Sequence, residues 1–219
     1  MYTLQMYLGL IGEGAARTLF ITLLSFSMGF IISLSITLAR FMGSSVLRKI
    51  VEAYIDFFRG TPLLVQLLLI YFGLPSIGLK LNALTAAVIA VGLNSGAYQA
   101  EILRTAIKGI PEEQIMIAES LGMSSKQVQR YVVLPQALRN ALPGLSNEVI
   151  MLLKESSLAS VIGVMELTRA GEYMTAATFR ALEAYLIVAL IYLAFSYAFS
   201  RILRVTEKKY AVAGYERWI

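Results

Sequence analysis

The chain has 219 residues, of which 58% are hydrophobic and 15% charged; it carries a net charge of +5 and contains neither cysteine nor histidine. Soluble domains are about 45–50% apolar and about 25% charged, and a chain this apolar cannot hide its side chains in a core of its own size, which excludes a soluble enzyme. Without cysteine or histidine, a disulfide-stapled module, a zinc, haem-thiolate or iron–sulfur site, and a Ser-His-Asp or Cys-His triad are excluded too.

Charge spacing sets the membrane spans. No basic residue precedes Arg17, so the N-terminus is not expected to be a secretory signal. Twenty-two uncharged positions separate Arg17 from Arg40, enough for the roughly 20-residue helix that crosses about 30 Å of hydrocarbon, and a first span is placed at about 14–40. Twenty more between Arg59 and Lys80 place a second at about 50–75. Asp56 lies one helical turn before Arg59 and can pair with it. Gly60, Thr61 and Pro62 interrupt this span. Thr is a good N-cap and Pro fits a first turn, so the triplet marks either a half-helix starting inside the membrane, its free N–H groups from Leu63 on turned inward, or a plain kink or helix start at the inner face.

A third span, about 82–106, carries Asn94, Tyr98, Glu101 and Thr105 at i, i+4, i+7 and i+11, a single polar stripe, with Ser95 and Gln99 beside it. The stripe lines a pathway or glues helices together; Gly92 and Gly96, a small-xxx-small pair, point to close helix packing.

The segment of about 107–137 is more than a linker. Pro111 can open a helix, with Glu112 and Glu113 favourably placed in its first turn. Ile115, Ala118 and Leu121 follow at helical spacing, Gly122 is a C-terminal stop, and Ser124 to Gln127 reads as a capping box opening a second helix that ends before Pro135. The pair forms an ordered elbow beneath the bilayer or lies on the headgroups.

A fourth span, about 138–163, includes Asn147, Glu148, Lys154 and Glu155. Glu148 and Glu155 are seven apart and share a helix face; Lys154 can pair with Glu101, and Ser156 and Ser157 can cap a short helix entering Leu158 to Gly163. A fifth span at about 183–205 leaves a tail at 206–219. Five spans put the termini on opposite sides. With the N-terminus outside and the C-terminus cytoplasmic, 13 bases fall inside and 4 outside, as the positive-inside rule requires; the excess charge is thus explained without nucleic acid.

The chain has no nucleotide site of its own. Gly73 to Gly78 mimics a phosphate loop, but Leu79 and Lys80 follow in place of Lys-Ser/Thr. Any ATP must be bound by a partner.

Ile117-Ala118-Glu119-Ser120-Leu121-Gly122, nine residues, then Val132-Val133-Leu134-Pro135 resembles the cytoplasmic loop signature of ABC importer permeases: Glu-Ala-Ala, three residues, Gly, nine residues, Ile-x-Leu-Pro. Met116 and Ile117 depart from the leading Glu-Ala, leaving Glu119 or Glu113 to stand for that carboxylate. The stretches Arg59 to Gln66, Leu93 to Tyr98, Leu134 to Arg139 and Ser157 to Gly163 are similar to the polar amino-acid uptake branch, the histidine/glutamine/arginine/opine group, and the likeness covers roughly residues 10–208.

That resemblance implies an all-α permease of five spans in a single domain, 1–219, in the cell membrane of a prokaryote. It implies a second permease subunit, taken as identical, two cytoplasmic ATPase subunits that bind ATP and magnesium, and an extracytoplasmic binding protein delivering an amino acid. No cofactor and no catalysis are expected in this chain. Coupling to the ATPases is expected at Glu113, Ala118, Glu119, Ser120, Leu121, Gly122, Leu134 and Pro135. The substrate is expected at Thr61, Asn94, Ser95, Tyr98, Glu101, Asn147, Glu148, Glu155, Ser156 and Ser157, since intramembrane polar groups mark transport pathways. Two carboxylates facing one cavity favour a cation, hence arginine, lysine or histidine. The rival reading is an ion-coupled secondary transporter or channel for small polar solutes.

Overall fold

Small side chains let the first and fourth helices of this protein approach closely. The computed structural model describes residues 4–42 and 44–210 and contains no strand among them; the part of the expected tail from 211 onward lies outside the described residues. Nine α-helices follow one another: α1 (Leu4–Met42), α2 (Ser45–Gly60), α3 (Leu63–Leu68), α4 (Ala83–Lys108), α5 (Glu112–Ser120), α6 (Ser125–Val128), α7 (Leu134–Glu155), α8 (Leu167–Thr178) and α9 (Ala181–Tyr210). The α1–α4 pair is the largest contact in the bundle. A Cβ on Gly29 would lie 3.0 Å from the Gly96 backbone nitrogen, and one on Gly96 would lie 2.9 Å from both Ile32 and the Tyr54 hydroxyl. Gly96 is therefore a packing residue, and Gly92 behaves likewise against Met28. Ala86, Ala87, Ala90, Ala97 and Ala100 bury the rest of the α4 surface.

Lipid offers no hydrogen bonds, so buried hydroxyls must find partners within the protein. On α1, Thr22 donates to Thr18 O, Ser33 to Phe30 O and Thr37 to Ser33 O, while Ser25 crosses to Val88 O on α4. By length and composition α1 (Tyr7–Arg40) and α9 (Ala181–Thr206) can cross a membrane, and α2 with the helical run Leu63–Ile77 makes a third candidate, bent by 108°. α4 and α7, with 26 and 22 residues, are long enough but carry more polar side chains. Most of α9 stays exposed, with Leu186, Leu190, Leu193 and Ile202 turned outward.

Several expectations need correction. The helix opened by Ser124 does not end before Pro135: a π-turn at Gln129–Val133 carries the chain directly into α7, and Pro135 takes a first-turn position where its missing N–H is no loss. The segment expected as a fourth span folds as α7 followed by a 3₁₀ turn at Ser156–Ile162. Ser156 and Ser157 do not cap it, since their hydroxyls donate back to Leu153 O and Lys154 O. Thr61 is not the cap of α3 either; Pro62 holds that position, and the Thr61 hydroxyl donates to Phe57 O. Finally the segment between the fourth and fifth expected spans, for which the sequence reading marks no helix, holds α8, a packed helix. Buried Glu166 caps it by accepting from Thr168 N and Arg169 N, both at 2.8 Å, and Tyr192 on α9 donates to the same carboxylate.

Candidate functional site

The break between α2 and α3 is held by one buried amide. Gln66 donates from Nε2 to Phe58 O, Thr61 O and Thr61 Oγ1 at 2.9–3.0 Å, and its Oε1 accepts from Asn94 Nδ2 on α4 at 3.0 Å. Asn94 also donates to Phe58 O. The carbonyls freed by the break are thus satisfied by side chains, which lets a bent span persist in an apolar environment. Thr61 and Asn94 meet here as neighbours of one network. The sequence reading names Gln66 only as the end of the stretch Arg59 to Gln66 and gives it no site role, though a lone amide in the run Leu63–Leu68 is a legible signal.

The next residue of α4, Ser95, donates to Glu148 Oε1 on α7 at 2.7 Å and accepts from Gln99 Nε2 at 2.9 Å. Gln99 is fully buried; its Nε2 also reaches Phe26 O, and its Oε1 is a buried acceptor with no partner. No cation lies within ion-pair distance of Glu148 or Glu155 among the described residues. Both are half-buried on α7, whereas Asn147 and Lys154 are exposed, the Lys154 charge acting on its neighbour Glu155.

At the far end of α4 the arrangement differs from expectation. Glu101 does not pair with Lys154, nor Arg59 with Asp56. Glu101 is gripped by three arginines: Arg40 of α1 at 3.1 Å, Arg104 of its own helix at 2.7 Å and Arg59 of α2 at 3.6 Å. The Arg59 guanidinium also sits 5.4 Å from the centre of the Tyr98 ring, within cation–π range. Glu101 is thus a clamp among α1, α2 and α4, with its charge already neutralised, and Tyr98 adjoins it through Arg59. A cavity of about 600 Å³ opens beside this clamp. Of the expected substrate residues, the fold gathers Thr61 with Asn94, Ser95 with Glu148, and Tyr98 with Glu101; it leaves Asn147, Ser156 and Ser157 apart.

The expected elbow is present as α5, Gly122 and α6. Ala118 is buried with Ile110, Val128, Val133 and Ala137, which anchors α5 on the start of α7. Gln136 on α7 donates to Gln114 on α5 at 2.7 Å. Gly122 turns the corner at φ +83°, in the left-handed region, and the Ser124 N–H and hydroxyl both donate to Gln127 Oε1. Glu113, Glu119, Ser120, Leu134 and Pro135 are exposed, and so are Met116, Ile117 and Leu121, an apolar group left uncovered among the described residues.

Residues 29–212 match the family described as "Binding-protein-dependent transport system inner membrane component". A probable amino-acid ABC transporter permease of Bacillus subtilis, YckA, is 42% identical over 91% of this chain and 88% of its own. The glutamine transport system permease GlnP of Escherichia coli K12 is also 42% identical, over 90% of this chain and 91% of its own. Among solved structures, one of an amino acid ABC transporter with histidines superposes with a TM-score of 0.89 at 42% identity, covering 93% of this chain and 95% of that one. The inward-facing methionine ABC transporter MetNI matches in fold, with a TM-score of 0.81 at 21% identity over 96% of this chain and all of that one. The chain therefore belongs to the inner-membrane components of binding-protein-dependent transport systems, as an amino-acid ABC transporter permease.

Proposed function

We propose that this permease moves basic amino acids, and that Glu148 and Glu155 supply the charge that selects them. The observation carrying this reading is that both carboxylates lie half-buried on one face of α7 with no ion pair among the described residues, while Glu101 is held by three arginines. A carboxylate kept in such surroundings is costly unless hydrated or matched by a cation, and a lysine or arginine substrate is such a cation. Thr61, Asn94, Ser95 and Tyr98 line the same path.

The chain crosses the membrane five times in this reading, with the N-terminus outside, because that orientation puts 13 bases inside against 4 outside. It works beside a second, identical subunit and receives substrate from an extracytoplasmic binding protein. Two cytoplasmic ATPase subunits bind ATP and magnesium. They seat the exposed Met116, Ile117 and Leu121 of α5, so closure of the ATPases moves α5 and, through Ala118 and Gln136, α7.

A second reading, uptake of neutral glutamine, is favoured by the 42% identity to the glutamine permease of E. coli. Competition on the reconstituted transporter separates the two. Glu148→Gln and Glu155→Gln should cut arginine and lysine uptake about tenfold, the effect of roughly 1.4 kcal/mol, and spare glutamine; equal losses for all three would sink the charge-selection reading. Uptake that follows internal ATP and survives collapse of ion gradients excludes the ion-coupled alternative.

A further inference from the structure

The cavity beside the Glu101 clamp is built for an anion. Nine residues line it: five cations, three carboxylates and a single apolar side chain, Ile55. Pockets for neutral organic ligands carry only a few polar groups to orient the ligand, so this lining favours a charged ligand. Glu101 takes part of the positive charge through its three arginines. Among the described residues Arg48 on α2 and Lys108 at the end of α4 make no ion pair, and neither do Glu52 and Asp56. Five cations against three carboxylates leave two positive charges uncompensated.

The position of the cavity narrows the source of the anion. It lies at the ends of α1 and α4 that carry Arg40 and Lys108, with α2 along its side. α2 turns Arg48, Glu52, Asp56 and Arg59 to the cavity, buries Val51 and Ile55 on α1 and α4, and leaves Val46, Ile50 and Phe57 exposed. A helix with a charged face and an exposed apolar face sits at a membrane interface, and basic pockets between membrane helices at that level take lipid headgroups.

We propose that this cavity binds a phosphate ester anion, the headgroup of an anionic phospholipid, with Arg48 and Lys108 meeting the phosphate and the apolar side of α2 lying against the acyl chains. The site depends on α1, α2 and α4 reaching the membrane surface, and not on which amino acid is carried.

The test uses the purified full-length chain in nanodiscs of mixed phosphatidylglycerol and phosphatidylcholine, with retained lipid counted by native mass spectrometry. The wild type should retain phosphatidylglycerol in preference to phosphatidylcholine. Arg48→Gln with Lys108→Gln, which leaves the Glu101 clamp intact, should weaken that retention about thirty-fold, and Glu52→Gln should strengthen it about fivefold, each charge near the surface being worth roughly that factor. Equal retention of the two lipids, or a Glu52→Gln variant no better than wild type, overturns the proposal. Inorganic phosphate or glycerol phosphate that displaces the lipid at millimolar concentration shows a soluble phosphate site instead and also overturns it.

Discussion

The Ser95 hydroxyl on α4 donates a 2.7 Å hydrogen bond to Glu148 on α7, so the polar stripe of one helix meets the carboxylate of the other inside the bundle. A hydrogen bond to a charged group contributes about 1.5–3 kcal/mol. Ser95→Ala removes the only donor that Glu148 has among the described residues and leaves Gln99 Nε2 with Phe26 O alone there. The variant should unfold at a lower temperature in detergent and transport about tenfold more slowly at equal expression. Wild-type uptake in this variant would place the pair off the pathway.

Glu101 invites the opposite expectation from the one its intramembrane position first suggests. It bridges three helices, so Glu101→Gln leaves Arg40, Arg59 and Arg104 facing one another around a neutral amide. Breaking a buried pair by removing one partner costs about 3–5 kcal/mol; the arginines here are partly exposed, which lowers the expectation to roughly 2 kcal/mol. Basic and neutral substrates should lose uptake equally. Adding Arg59→Gln should restore part of the lost thermal stability, a rescue that thermal unfolding of the double variant measures.

The helical fold was legible because long apolar runs between charges read directly as helices, as α1 and α9 show, and Gly92 and Gly96 announced close packing by their spacing. The elbow was legible for the same local reason: Gly122 and the box of Ser124 with Gln127 are contained within a few residues. The Glu101 clamp was not, because Arg40 lies 61 residues away and no periodicity encodes such a pairing. Pro135 misled because proline ends a helix in most settings, whereas here a π-turn absorbs it. The α8 helix hid between the fourth and fifth expected spans, where Arg169 and Glu172 interrupt the apolar pattern; the cap at Glu166 was its local signal.

Gln66 carries a sharper prediction than any residue picked out by charge. Its amide donates to two backbone carbonyls and the Thr61 hydroxyl, and accepts from Asn94. Gln66→Leu preserves volume and orphans Phe58 O in part and Thr61 O outright; each buried group left unsatisfied costs about 1–3 kcal/mol. The variant should insert into the membrane but show faster backbone hydrogen exchange over residues 58–66. Gln66→Glu should also fail, because a carboxylate cannot donate to those carbonyls. Unchanged exchange in both variants would mean that the bend is held by packing alone.

Gly122 tests whether the elbow transmits force. Its φ of +83° lies where a β-branched residue is strained, yet a Cβ there would meet nothing within 4 Å, so the effect of substitution is conformational and not a clash. Gly122→Val should cost about 1–3 kcal/mol locally and pull the α5–α6 corner out of shape while Ala118 keeps α5 anchored. In the reconstituted transporter, ATP hydrolysis should persist while uptake per ATP falls severalfold. Gly122→Asn, which tolerates the left-handed region better, should keep most of the coupling. If valine and asparagine behave alike and both remain coupled, the corner does not transmit the stroke, and the continuous helix from α6 through the π-turn into α7 becomes the element to mutate next.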